Sequence, residues 1–245
     1  NTIIKLNTNN DINKNITLVP ENIFKNLKIN DILSIDFNSV VVKIIKETER
    51  YFECRVIQGG TIGSNKSISV NRDIKIPPFT DKDIKAFSIG EKLKIKNYAL
   101  SFTSKASDVI KLRNFFKNKI TITSKIESKR GLRNLQEILK AADNILIDRG
   151  DLSKEIPLHV IPRKQKEIIA EAIKANTPVY VATNLLESMV TRMEPTRAEV
   201  NDVYNTLIDG ATGLVLAAET AIGKYPQKCI EMIIKVSKTL KNPKK

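Results

Sequence analysis

Hydrophobic and polar positions along the chain follow two rhythms, with the change near residue 76. Before it, short β-branched runs are separated by polar turns: Ile32 to Asp36, Ser39 to Ile45, Tyr51 to Ile57 and Ile68 to Val70. Runs of that length and spacing predict a small all-β domain over residues 1–76. Asn1 already opens a strand-like pattern, so further sequence upstream is expected. Gly59-Gly60 and Gly63 predict a mobile connection inside this domain. Ile76-Pro77-Pro78-Phe79 predicts its boundary, because proline and the residue before it resist both helix and central strand.

From 77 to 245 the pattern alternates between apolar runs and amphipathic helices, opening with a helix start at Thr80-Asp81-Lys82-Asp83. The runs Asn97 to Ser101, Ile120 to Ser124, Asn144 to Ile147, Pro178 to Ala182 and Gly213 to Ala217 predict strands. Helices are predicted over Ser104 to Lys117, Arg130 to Ala141, Pro162 to Ala175, Thr196 to Ile208 and Tyr225 to Leu240. Leu132, Leu135 and Leu139 fall at helical spacing, as do Val200, Val203, Tyr204 and Leu207, which makes both stripes core. Continuous apolar strands followed by helices imply βα units on a parallel sheet buried on both faces. A doubly wound sheet and a (β/α)₈ barrel both satisfy that pattern.

Composition changes this picture little. Hydrophobic residues at 41 % and charged residues at 28 % fit a folded protein, and no apolar run approaches the ~20 residues of a membrane helix, so a soluble protein is expected. The formal charge of +14 favours polyanionic partners, yet the lysines are scattered among isoleucines and asparagines. With aromatic residues at 5 % and no tryptophan, stacking platforms for nucleic acid are scarce. Cys54 and Cys229 sit far apart in apolar stretches and are expected to be reduced and packed. No charged-then-apolar segment opens the chain, which points to the cytoplasm. The closing Lys241-Asn242-Pro243-Lys244-Lys245 is expected to fray.

Candidate chemistry gathers where the predicted strands end. Lys125 and Glu127 follow the second barrel-type run, Asp151 the third, Thr183 the fourth and Glu219 the fifth. Side chains converging from the ends of several strands are the mark of a barrel active site. Lys125 and Glu127 are two apart and project to the same side of an extended chain, so a plain ion pair is the competing reading. Glu127 and Asp151 are hard oxygen ligands of the kind Mg²⁺ or Mn²⁺ takes. Arg149-Gly150-Asp151-Leu152 predicts a turn whose backbone N–H groups face an anion, with glycine allowing close approach. His159 lies between Pro157 and Pro162 and is expected at the surface or in a cap.

Several of these motifs together resemble the pyruvate kinase family. Ile122-Thr123-Ser124-Lys125-Ile126-Glu127 is similar to its lysine and metal-ligand strand, and Arg149-Gly150-Asp151-Leu152 to its second metal-ligand turn. The stretch Ala182 to Met189 with Pro195-Thr196-Arg197-Ala198-Glu199 resembles its signature after the seventh strand. Glu219-Thr220-Ala221 with Gly223-Lys224-Tyr225-Pro226 resembles the end of the eighth. The resemblance implies a partial TIM-type barrel, about strands 4 to 8, carrying an N-terminal lid domain. It implies phosphoryl transfer between phosphoenolpyruvate and ADP, giving pyruvate and ATP, with Mg²⁺ or Mn²⁺ held by Glu127 and Asp151. Lys125 would neutralise the transferring phosphoryl group and Thr183 would lie near the enolate carbon. The N–H groups of Gly150 and Asp151 would hold the carboxylate, and Lys66 of the lid would reach the nucleotide phosphates. K⁺, whose family ligands have no counterpart here, and a homotetramer are implied as well; nucleic acid and membrane are not.

The sequence departs from the family pattern at Asp36-Phe37-Asn38, where the lid carries two aspartates and a glycine, and at Ser104, Asn184 and Ala217-Ala218. Asp148 adds a carboxylate before the Arg-Gly-Asp turn. Two other functions compete: a metal-dependent lyase or aldolase acting on a pyruvate enolate, and a catalytically silent partial chain.

Overall fold

The computed structural model describes residues 2–7, 16–19, 21–36, 39–72, 74 and 77–241. Phe37 and Asn38 of the departing lid motif, Ile76 of the expected boundary and the terminal residues 242–245 lie outside them. The chain forms two compact units, Asn1–Lys82 and Asp83–Lys245.

In the first unit β1 (Ile3–Asn7), β2 (Ile16–Thr17), β3 (Ile32–Ile35), β4 (Val40–Glu47), β5 (Tyr51–Gln58) and β6 (Ile68–Val70) make one sheet ordered β2-β1-β5-β4-β3-β6. The predicted strands appear within a residue or two of their expected ends. Along β4, Val40, Val42 and Ile44 are buried while their neighbours are partly exposed, the period-2 alternation of a strand with one face on a core. Leu6, Leu33, Ile35, Phe52 and Cys54 complete that core, which accounts for the inert, reduced Cys54. Thr48 closes the β4–β5 hairpin, donating to the Tyr51 carbonyl at 2.7 Å and accepting the Tyr51 N–H at 3.0 Å. Asp31 is nearly buried and meets Arg72 through two hydrogen bonds, Nε to Oδ1 at 2.6 Å and Nη2 to Oδ2 at 2.8 Å, the geometry that suits a guanidinium best.

The second unit runs α1 (Asp81–Lys92), β7 (Asn97–Leu100), α2 (Ala106–Phe115), β8 (Thr121–Ile126), α3 (Lys129–Arg133), α4 (Leu135–Ala141), β9 (Asn144–Asp148), α5 (Arg149–Glu155), α6 (Ile161–Lys174), β10 (Val179–Ala182), α7 (Arg197–Ile208), β11 (Gly213–Val215), α8 (Ala218–Ala221) and α9 (Pro226–Lys241). Its five strands are parallel and lie in sequence order, β7-β8-β9-β10-β11. A doubly wound sheet reverses order at a switch point; this one never does, so the barrel pattern holds. Ile126, Ile145, Ile147, Val179 and Val181 pack against Ile138, Leu139, Ile168, Ile169 and Ala172 of the covering helices. On α6 the buried positions Ile161, Gln165, Ile168, Ile169 and Ala172 recur at helical spacing. Thr196 caps α7 reciprocally: it accepts the Glu199 N–H at 3.2 Å while Glu199 Oε2 accepts the Thr196 N–H at 2.7 Å.

Three local expectations change. The helix expected over Arg130 to Ala141 is two helices that meet at Asn134, whose side chain donates to the Ser104 carbonyl at 2.8 Å and is drawn out of the helix line. Strand β8 continues to Ile126, so Lys125 lies within it. The expected Arg-Gly-Asp turn is the first turn of α5. His159 is exposed, as expected, in a short 3₁₀ turn. Among the described residues no helix is long and apolar enough to cross a membrane.

Burial works against the charged form of Asp31, but Arg72 and the Lys28 N–H outweigh it and hold the carboxyl below its ordinary value of 3.8. A depressed carboxyl contributes stability above its unfolded value and loses it as pH falls through the folded one. Asp31→Asn should therefore lower the urea midpoint of the first unit at pH 7. Its difference from the parent should close only as pH falls below 3.8, measured by urea titrations across that range.

Candidate active site and metal centre

The ends of three adjacent parallel strands supply the polar groups. Lys125 is the last but one residue of β8 and Glu127 follows the strand; Asp148 closes β9; Thr183 follows β10. The register pairs Ile126 with Ile147 and Asp148 with Ala182, so these ends lie at one level. Lys125 Nζ lies 2.7 Å from Glu127 Oε1 and 3.0 Å from Asp148 Oδ2. Glu127 is fully buried, and its Oε2 accepts the Phe102 N–H at 2.5 Å. The Thr183 hydroxyl donates to Asp148 Oδ1 at 2.8 Å and accepts the Gly150 N–H at 3.1 Å. Asp151, in the first turn of α5, meets Lys154 Nζ at 2.6 Å.

Burial dominates the electrostatics of Glu127 and pushes its carboxyl above the ordinary value, despite Lys125 and the Phe102 N–H. Burial also opposes charge on Asp148, but Lys125 and the Thr183 hydroxyl outweigh it and hold that carboxyl down. For Lys125 burial favours the neutral amine, and Glu127 with Asp148 reverses this and raises its pKa. The lysine is the counter-cation of two carboxylates. Counting Lys154 and Asp151 as well, two ammonium groups face three carboxylates, leaving one negative charge in excess.

One oxygen each from Glu127, Asp148 and Asp151 lies within 4.8 Å of the others. Hard carboxylate oxygens converging on one point suit Mg²⁺ or Mn²⁺, which usually keep one or two carboxylates and fill the remaining positions with water or substrate oxygens. The donor set fits such an ion.

Of the residues singled out in the sequence, Lys125, Glu127, Gly150, Asp151 and Thr183 are brought together. The ion pair expected of Lys125 forms, and it forms where these strand ends converge. Glu219 is different: it is buried, and its carboxylate accepts the Leu186 N–H at 3.1 Å and the Ala217 N–H at 2.9 Å, binding backbone at the end of β11. Lys66 belongs to the first unit, where it pairs with Asp36 at 3.0 Å. Asp148 was visible only as an added charge, although it closes a strand as the other candidates do. Arg149 stood in the Arg-Gly-Asp motif without a role of its own; its guanidinium binds the Thr183 carbonyl and, 53 residues on, Asp202. Thr183 and Asn184 both have left-handed backbone, φ 74° and 55°. For a β-branched residue that conformation costs on the order of 1–3 kcal/mol and persists only where surroundings enforce it.

Residues 2–230 match the model of the pyruvate kinase barrel domain. The chain belongs to the pyruvate kinase family. It is 38 % identical over 218 residues to a pyruvate kinase of Thermotoga maritima, covering 87 % of this chain and 47 % of that protein. It is 35 % identical over 239 residues to a pyruvate kinase of Thermococcus litoralis, covering 95 % of this chain and 50 % of that one. The plastidial pyruvate kinase 3 of Arabidopsis thaliana is 36 % identical over 211 residues, 84 % of this chain and 37 % of that protein. The chain thus spans about half the length of the curated relatives it matches, or less, and its five-stranded sheet is part of a pyruvate kinase barrel. None of these names supports the lyase reading.

If the three carboxylates share one cation, Glu127→Gln and Asp151→Asn should each weaken Mn²⁺ binding by about tenfold or more, a loss of roughly 1.4 kcal/mol per tenfold. Titration followed by the electron paramagnetic resonance of free Mn²⁺ reads this directly. Parent-like binding in both variants would place the metal elsewhere.

Proposed function

We propose that this chain carries the catalytic strand ends of a pyruvate kinase, moving a phosphoryl group between phosphoenolpyruvate and ADP. The observation that carries the reading is the convergence of Lys125, Glu127, Asp148 and Thr183 at three adjacent strand ends in a chain of this family. Glu127 and Asp151, with Asp148 beside them, would hold Mg²⁺ or Mn²⁺. When bound, that ion supplies charge neutralisation for the phosphoryl oxygens and orients the enol oxygen.

Phosphoryl transfer asks a protein for positioning and charge more than for covalent help. With its excess negative charge the cluster of Glu127, Asp148 and Asp151 repels an anionic substrate and would attract a divalent cation. Lys125 then lies where charge shifts as the phosphorus–oxygen bond to the enol breaks and the bond to the ADP oxygen forms. The N–H groups of Gly150 and Asp151, at the start of α5, are taken by the Thr183 hydroxyl and the Asp148 carboxylate, and would hold the substrate carboxylate only after leaving those acceptors. The remaining enolate takes a proton at carbon on the side of Thr183. That hydroxyl donates to Asp148, so in passing a proton to the carbon it would turn from that carboxylate and take a replacement proton from water, which makes it a relay and not the source.

Family membership extends the proposal to Lys66 as a nucleotide contact from the lid, K⁺ alongside the divalent ion, a homotetramer and a cytoplasmic location. The division at residue 76 into lid and barrel belongs to the same reading.

Lys125→Met keeps most of the side-chain stem and removes the charge. In the enzyme containing this chain it should lower kcat for phosphoryl transfer on the order of 10²–10³-fold with a much smaller change in KM. Steady-state assays at saturating metal test it. Retention of parent-like kcat would reduce Lys125 to a structural ion-pair partner.

A further inference from the structure

Two consecutive non-glycine residues with left-handed backbone, Thr183 and Asn184, sit where the proposed chemistry needs a hydroxyl. Glycine is the residue that adopts this conformation without strain, and the local sequence offers none. The enforcing contacts therefore come from elsewhere in the fold. Arg149 Nε and Nη2 both donate to the Thr183 carbonyl, at 3.0 and 2.5 Å. On its other side Nη1 donates to Asp202 Oδ2 of α7 at 2.7 Å and to Gln165 Oε1 of α6 at 3.4 Å. Gln165 is itself fixed by a buried hydrogen bond from its Nε2 to Thr206 Oγ1 at 3.0 Å. The guanidinium is a strut between two helices and the peptide after β10.

We propose that Arg149 is a positioning residue, whose guanidinium fork pins the Thr183 carbonyl and so keeps the Thr183 hydroxyl on Asp148 and Gly150. An ammonium cannot replace it, since one point charge does not reproduce a rigid fork shared among three acceptors. The close packing agrees: a Cβ at Gly150 would lie 3.2 Å from Thr183 Cγ2, so a shift of Thr183 is felt at once by the α5 backbone. The consequence for catalysis rests on the proposed proton transfer at Thr183; the clamp itself does not.

Gly150 supplies a direct readout. As the second residue of α5 it has no acceptor within the helix, and its N–H is bonded to Thr183 Oγ1. Amide hydrogen exchange followed by NMR on the full chain should show Gly150 exchanging about tenfold faster in Arg149→Lys, the factor for loss of one ordinary hydrogen bond. Amides of β8 and β9 should keep their parent rates. Asp202→Asn, which alters only a partly exposed anchor, should give a smaller acceleration at the same amide and serves if Arg149→Lys does not fold. Parent-like exchange at Gly150 in the folded variants would overturn the proposal, and so would an acceleration spread evenly over β8 and β9. Exchange of the pyruvate methyl protons in the presence of Mn²⁺ separates the two levels. A Gly150 response with methyl exchange unaltered would leave the clamp standing and remove the proton-transfer role of Thr183.

Discussion

The ladder register of β8, β9 and β10 is the constraint on which the site depends. A slip of one residue in any of these strands would turn Lys125, Asp148 or the approach to Thr183 to the opposite face. What resists the slip is apolar burial on the helix-covered side, where Ile122, Ile126, Ile145, Ile147, Val179 and Val181 are at most 1 % exposed. Each such side chain is worth roughly 1.5–3 kcal/mol relative to exposure. A buried ion pair often comes close to breaking even against its desolvation. The charged cluster therefore does not hold the strands in place; the hydrophobic face does, and the charges are carried to their positions by it.

That ordering explains how a fully buried Glu127 is tolerated. Its desolvation is offset in part by the Lys125 ammonium and a backbone N–H, and Lys125 is kept charged by Glu127 and a second carboxylate, Asp148. The same residues that make the cluster stable without a metal are those a divalent cation would share. Under the proposed function, structural ion pair and catalytic group would be one lysine at different stages of occupancy.

The first unit is organised by other means. It has its own sheet and core, and a forked Asp31–Arg72 pair joins the segment before β3 to the one after β6. Its β3–β4 and β4–β5 pairings are short-range and antiparallel, which explains why those strands read so directly from alternation.

Periodicity and composition are local properties, and they determined the elements: both sets of strands, the covering helices and the parallel character of the second sheet. Strand-end placement, together with motif resemblance, singled out Lys125, Glu127, Gly150, Asp151 and Thr183 as candidates. Only the tertiary structure decided which of those groups face one another. Glu219 met the same strand-end rule yet turns to backbone amides, because the chain folds into α8 directly after β11. Arg149 finds Asp202 at a separation of 53 residues, and that partnership depends on where the fold places α7. The left-handed backbone of Thr183 contradicts its residue type, since long-range contacts override local preference where enough of them converge.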